Sequence, residues 1–333
     1  MTASADRPKR ARSRLLAIGL LALALAPGTL LRSDVPETAE LGMTVRPLAA
    51  TDLPLTNGGF TRTGLWELDS ENLNFGGYSA LLALGPDLLR AFSDRGSMLT
   101  FPAPGTSSDF GTRFANIRDR GEFAGKFPDI ESVTRDPATG TYWLGFEVSH
   151  SLLRYDAESR LEGGVQPPEW RGWSVNSGAE AMVRLADGRF IVLPEQGRVA
   201  LLYPGDPVEG AEALAFGFTA PEGYSPTDMG ALPDGRVLVL LRKVEMTYPP
   251  FSVRLALADP AKIDPEQAWH LEVVADLDAL LPRENYEGMA IVPGEGESVT
   301  IWLIADDNRS AFQRSLLARL EWTPESDESP DAQ

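Results

Sequence analysis

Apolar positions along this chain come in short runs that stop at turns rich in Gly, Pro and Asp. The stretch FPDIESVTRDPATGTYWLGFEVSHSLLRYD, residues 127–156, shows the pattern most fully. An apolar–polar run follows Asp129-Ile130-Glu131 and meets a turn at Asp136-Pro137-Ala138-Thr139-Gly140. A second run over 141–146 ends on Glu147, and a third covers 151–155. Short runs bounded by such turns predict antiparallel hairpins. In an antiparallel pair the start of one strand lies beside the end of the next, so Glu131 and Glu147 are expected at one edge of the sheet.

The unit recurs. Residues 76–96 carry Ser79 and Asp94 in the two slots. Residues 176–196 carry Glu180 and Glu195 around the turn Ala186-Asp187-Gly188. Residues 224–243 carry Asp228 and Arg242 around Pro233-Asp234-Gly235, and residues 286–308 carry Glu287 and Asp306-Asp307. First slots at 79, 131, 180, 228 and 287 give a period near ~50 residues, the signature of a β-propeller built from short strands. An all-β propeller is the predicted fold. Strands at 59–70, with Leu65, Trp66 and Leu68, and at 315–322 are expected to pair into a further blade. Six blades are therefore predicted, closed by strands from both termini, because closure removes free sheet edges. The segment 101–119 reads as a loop inserted between blades. Asp136, Asp187 and Asp234 sit in turns, where Asp bonds its own backbone.

The ends read differently. Residues 1–14 are basic and residues 15–26, LLAIGLLALALA, are apolar. That order marks 1–32 as an export signal or an N-terminal anchor, with the periplasm or secretion as the destination. Residues 33–58 are expected to be linker plus a first strand, 59–322 the propeller, and 323–333 an acidic disordered tail.

Charge and composition narrow the function. The net charge is −18 over 333 residues, which argues against a nucleic-acid partner. With no cysteine, thiolate sites and cysteine nucleophiles are excluded, and with only two histidines a multi-histidine zinc site has little material. Carboxylates at equivalent slots converge at one end of a propeller channel. Crowded there, they stay ionised only if cations or arginines neutralise them. Oxygen ligands without His or Cys suit Ca²⁺, with Mg²⁺ and Mn²⁺ as alternatives. Arg95, Arg242 and Arg309 are candidates to hold an anion beside the ion, with Lys243 and Arg314 nearby in sequence.

The motifs GGYSAL with FSDRG, DIESVTRDPATGTYWLGFE, GAEAM with LPEQG, SPTDMGALPDGR, and YEGMAI with IADDNRSAFQRSLL resemble the phytase-like domain, the "esterase-like activity of phytase" proteins. The resemblance implies a propeller that hydrolyses phosphate or carboxylate esters. It carries over Asp94, Glu131, Glu147, Glu180, Glu195, Asp228, Glu287, Asp306 and Asp307 as motif acids. The expectation is a metal-dependent hydrolase of a small-molecule ester or anionic substrate, phosphoester first, acting as a monomer. Glu131, Glu180, Asp228 and Glu287 are the expected catalytic acids, and Asp94, Glu147, Glu195, Asp306 and Asp307 the expected metal ligands. A lactonase- or carboxylesterase-type propeller and a non-catalytic periplasmic binding propeller are the alternatives. Membrane contact is expected only through the N-terminal anchor.

Overall fold

Alternating β-branched, aromatic and leucine positions, cut by Asp-Gly and Pro-Gly turns, fold into strands throughout. The computed structural model describes residues 42–117, 119–121, 128–174 and 178–324. The expected export segment and most of the acidic tail lie outside the described residues. No helix among those described is long and apolar enough to cross a membrane.

Five antiparallel sheets follow one another along the chain. Blade 1 comprises Tyr78–Gly85, Leu88–Ser93, Ser97–Pro102 and Arg113–Asn116. Blade 2 comprises Ile130–Arg135, Tyr142–Phe146, Ser151–Tyr155 and Leu161–Val165. Blade 3 comprises Ala179–Arg184, Phe190–Pro194, Val199–Tyr203 and Leu214–Thr219, extended by a short parallel pairing with Trp269–His270. Blade 4 comprises Ser225–Ala231, Val237–Val244, Phe251–Ala258 and Glu272–Asp276. Blade 5 joins Tyr286–Pro293, Val299–Ala305 and Leu316–Trp322 from the C-terminal side to Phe60–Asp69 and Thr44–Pro47 from the N-terminal side. The first strands of the blades touch their neighbours in a closed circle, 1 to 2 to 3 to 4 to 5 and back to 1.

The propeller is as predicted; its blade count is five, not six. Leu316–Trp322 pairs on one side with Val299–Ala305 and on the other with Phe60–Asp69. The terminal strands therefore complete the blade begun by the 286–305 hairpin, which has only two strands of its own and two free edges. Closure by both termini holds. The expected loop at 101–119 also contains a strand, Arg113–Asn116, which supplies the outer edge of blade 1.

Five apolar clusters fill the five gaps between blades. Between blades 2 and 3, for example, Trp143, Leu152, Met182, Phe190, Val192 and the fully buried Trp170 pack together. Each such large side chain contributes about 1.5–3 kcal/mol by leaving water. Asp136, Asp187 and Asp234 accept bonds from Ala138, Arg189 and Arg236 amides at 2.9, 3.1 and 2.9 Å, so they shape hairpin turns. The far halves of the inner strands line an apolar cavity of about 260 Å³, walled by residues such as Leu81, Val133, Val183, Met229 and Met289. The polar end of the channel is the opposite one.

Candidate functional site at the acidic mouth

Every inner strand carries one unpaired extra residue near its start. These are Ser79, Glu131, Glu180, Thr227 and Glu287, each skipped by the ladder to the second strand. Such a β-bulge bends the strand and re-aims the extra side chain. Facing the residue before each bulge are Ser93, Phe146, Pro194, Leu241 and Ala305. The next residues along those second strands are Asp94, Glu147, Glu195, Arg242 and Asp306. Nine of these ten residues, all but Thr227, line one cavity of about 420 Å³, together with Asp129, Asn285, Asn308, Val244 and Phe251. The lining holds eight carboxylates and one guanidinium.

Two groups of carboxylate oxygens lie close together: Asp129, Glu131 and Glu147, and Glu147, Glu180 and Glu195. Within each group the oxygens are inside 4.8 Å of one another, and Glu147 belongs to both. Two oxygens bound to one Ca²⁺ at 2.3–2.6 Å can stand no more than about 5 Å apart. Both groups meet that limit with hard donors only, so the residues present fit a calcium-class ion.

Glycine allows the close approach. The Gly178 amide donates to Glu147 Oε1 at 3.2 Å. A Cβ at Gly178 would fall 2.6 Å from Glu147 Cγ and 2.7 Å from its Cα, so a side chain there would displace the shared carboxylate.

The acids are held under electrostatic stress. Burial, then Glu180, Glu287, Asp129 and Glu147, raise Glu131 well above the usual carboxylate range. Burial with Glu195, Glu147 and Glu287 does the same to Glu180, against the pull of Arg242. Burial, reinforced by Asp129 and opposed by the Gly178 amide, pushes Glu147 up to about 7. Burial also raises Asp94, Asp129, Glu287 and Asp306. Burial works against the charge of Arg242, but Glu287, Glu195, Glu180 and Glu131 outweigh it and hold the guanidinium protonated.

Arg242 is spent on this stress. It donates to Glu287 Oε1, to Asn285 Oδ1 at 2.8 Å and to Glu195 Oε1 at 3.2 Å. Asn285 in turn donates to Glu287 Oε1 at 2.9 Å. The guanidinium thus faces acids, not an open anion site.

Chain comparisons identify the family. Residues 73–309, most of the chain, match the phytase-like family described as "esterase-like activity of phytase". The chain belongs to that family. No curated protein matches it. Among solved structures it is similar to a luciferin-regenerating enzyme, at 12% identity and TM-score 0.45, covering 84% of this chain and 95% of that one. It is also similar to the Cps50 (Swd1) β-propeller domain of Myceliophteria thermophila, at 10% identity and TM-score 0.39, covering 75% and 97%. The hydrazine synthase of Kuenenia stuttgartiensis aligns at 12% identity and TM-score 0.38 over 70% of this chain. That alignment spans 57% of the synthase chain.

The structure places some expected site residues elsewhere. Asp228 is not at the mouth. The bulge of blade 4 falls on Thr227, and its neighbour points the other way because strand side chains alternate. Asp228 is buried, and its carboxylate accepts bonds from the Met229 amide at 2.7 Å and the Met289 amide at 2.6 Å, joining blade 4 to blade 5. Asp307 likewise accepts from Gly77 and Arg309 amides at 2.9 and 2.8 Å and from Ser315 Oγ at 2.8 Å. Arg95 and Arg309 do not line the cavity; Arg309 donates to the Leu73 carbonyl at 3.1 Å. Arg314 and Lys243 pair with Glu284 and Glu245 at 2.7 and 3.4 Å. Ser79 is at the mouth but gives its hydroxyl to the Ile130 carbonyl. Asp129, Asn285, Asn308, Val244 and Phe251 are the lining residues outside the predicted site set. Asp129 precedes its strand, opposite Glu147, whose amide donates to its carbonyl at 2.8 Å. The signal for it was its place two residues before Glu131 in the acidic tripeptide.

Proposed function

We propose that this phytase-like propeller is an exported, metal-dependent ester hydrolase acting at the acidic mouth, with phosphoesters as its first substrate class. The observation that carries the reading is the pair of carboxylate triads sharing Glu147. Arg242 alone does not balance the eight acids of the lining. A divalent cation offsets that charge and polarises an ester oxygen when bound. Asp129, Glu131, Glu147, Glu180 and Glu195 are the residues that would hold it, and Ca²⁺ fits their donor type. This set shares Glu147 and Glu195 with the ligands expected from the sequence and draws Glu131 and Glu180 from the expected catalytic acids.

The remaining groups position and exclude. Arg242 and Asn285 lock Glu287 in place from one side. Glu287, held by Arg242 and Asn285, is the acid we assign to move a proton at the ester. The far half of the channel is apolar, so a charged ester head is confined to the acidic mouth. Export is supported by the basic 1–14 and apolar 15–26 segments, with the periplasm as destination.

The test is hydrolysis of aryl phosphate mono- and diesters, aryl acetates and simple lactones, with Ca²⁺, Mg²⁺ or Mn²⁺ and with chelator. Chelator-sensitive phosphoester turnover is the expected result. Turnover confined to acetates or lactones moves the substrate class to carboxylic esters. No turnover of any ester with each metal present leaves a binding propeller.

A further inference from the structure

The acidic mouth has one apolar edge. Ten large apolar side chains are exposed among the described residues, and four of them sit on two neighbouring loops of blades 4 and 5. Val244, Met246 and Tyr248 are 66%, 105% and 74% exposed on the hairpin between Val237–Val244 and Phe251–Ala258, and Phe312 is 50% exposed on the loop after Val299–Ala305. The Tyr248 hydroxyl donates to the Phe312 carbonyl at 2.8 Å and ties the two loops together. Val244 and Phe251 also line the acidic cavity, as does Asn308 at the base of the second loop. The apolar edge is therefore continuous with the site.

This hairpin is built to hold its shape. The Glu245 amide donates to the Pro250 carbonyl at 2.6 Å. Arg283 spans its base, donating to the Phe251 carbonyl at 2.8 Å, to Thr247 Oγ1 at 3.2 Å and to Glu245 Oε2 at 2.5 Å. The polar groups of the loop are used internally while its large apolar side chains face solvent. Scattered single apolar residues need no explanation, but a fixed cluster at the lip of a pocket points to a ligand.

We propose that this edge binds the alkyl or aryl arm of the ester substrate, so the substrates are amphiphilic: a polar ester head in the cavity and an apolar arm across Val244, Met246, Tyr248 and Phe312. The proposal rests on the ester-hydrolase reading for the head and on the loops alone for the arm. Eight carboxylates repel an approaching anionic head, whereas contact with apolar surface attracts without regard to charge. A bilayer is a poorer occupant, because a chain of net charge −18 is repelled by an anionic membrane surface.

The experiment is calorimetric binding of methyl-, butyl- and octylphosphonate, non-hydrolysable heads with graded arms, to the full chain in saturating Ca²⁺. A methylene gains about fourfold when fully buried, so partial cover on this edge predicts roughly twofold per methylene. Met246→Ser and Phe312→Ser should flatten that gradient. Met246 is fully exposed, so its replacement leaves the packed fold intact. Affinity that does not change with chain length, or a gradient that both variants keep, overturns the proposal. Octylphosphonate binding without methylphosphonate binding sustains the apolar arm and removes the phosphoester head from the proposed function. Capture of neutral phosphatidylcholine vesicles, lost in both variants and with no gradient among the soluble phosphonates, reassigns the edge to a membrane and also overturns the proposal.

Discussion

Blades 2 and 3 and blade 4 share one backbone plan and differ in chemistry. In each, the inner strand bulges at one residue and the second strand presents another just past the bulge's partner. Blades 2 and 3 fill both positions with acid, Glu131 with Glu147 and Glu180 with Glu195. Blade 4 fills them with Thr227 and Arg242, and sends its nearest acid, Asp228, into the wall between blades. The bulge is therefore a property of the scaffold, and the chemistry is decided by which residue occupies it. Two acidic blades build the proposed cation site; the third supplies a permanent counter-charge.

The strongest way to break this contrast is to remove the counter-charge. Arg242→Met leaves Glu287 and Glu195 without their partner in a buried setting, where losing one member of an ion pair costs about 3 kcal/mol or more. Urea unfolding in chelator should show that loss, and saturating Ca²⁺ should recover part of it. A variant as stable as the parent in chelator would mean that Arg242 does not balance the acids.

Asp228→Asn separates the wall from the mouth. An amide cannot accept from both the Met229 and Met289 amides, so one buried donor loses its partner at a cost of about 2 kcal/mol. Calcium affinity should be unchanged. A marked loss of calcium binding would put Asp228 back among the ligands.

Glu147→Gln acts the opposite way. It removes one charge from the residue common to both triads, and calcium affinity should fall by about tenfold or more. In chelator the variant should be slightly more stable than the parent, because one repelling carboxylate is gone. Equal calcium-induced shifts in Tm for parent and variant would place the ion elsewhere.

The smallest effect is on the pH profile. Glu131, Glu180 and Glu147 have folded-state pKa values above their unfolded ones, Glu147 at about 7. Such groups bind more protons folded than unfolded, so their contribution is present below the unfolded pKa and lost as pH rises through the folded one. In chelator Tm should drop by about 3 °C between mildly acidic and mildly alkaline buffer. Saturating Ca²⁺ should flatten the slope. A Tm that rises over this range in chelator would contradict the stressed-acid reading.

Much of this architecture was legible in the sequence because the repeat is carried by both strand pattern and turn chemistry. The second-strand positions Asp94, Glu147, Glu195, Arg242 and Asp306 follow from that repeat alone. The one-residue difference between Thr227 and Asp228 did not, because residue type suggested an acid while the bulge register chose its neighbour, and a single step reverses the direction of a strand side chain. The blade count was missed for a related reason. Phe60–Asp69 and Leu316–Trp322 read as a pair with no partner, when the 286–305 hairpin was short of strands on its outer side. Asp129 lies outside both repeated positions, and its place beside Glu131 in the acidic tripeptide gains meaning once its chain segment is folded against Glu147.

Calcium titration by calorimetry near neutral pH, run in two buffers of different ionisation enthalpy, tests the shared-ligand site most directly. Glu131, Glu180 and Glu147 carry raised pKa values without a cation, so binding should release protons as the carboxylates ionise. The predicted result is saturable uptake, at or below the millimolar range, with buffer-dependent heat that shrinks in Glu147→Gln. Heat indistinguishable from dilution throughout that range, or uptake with no proton release and no change in Glu147→Gln, would contradict it.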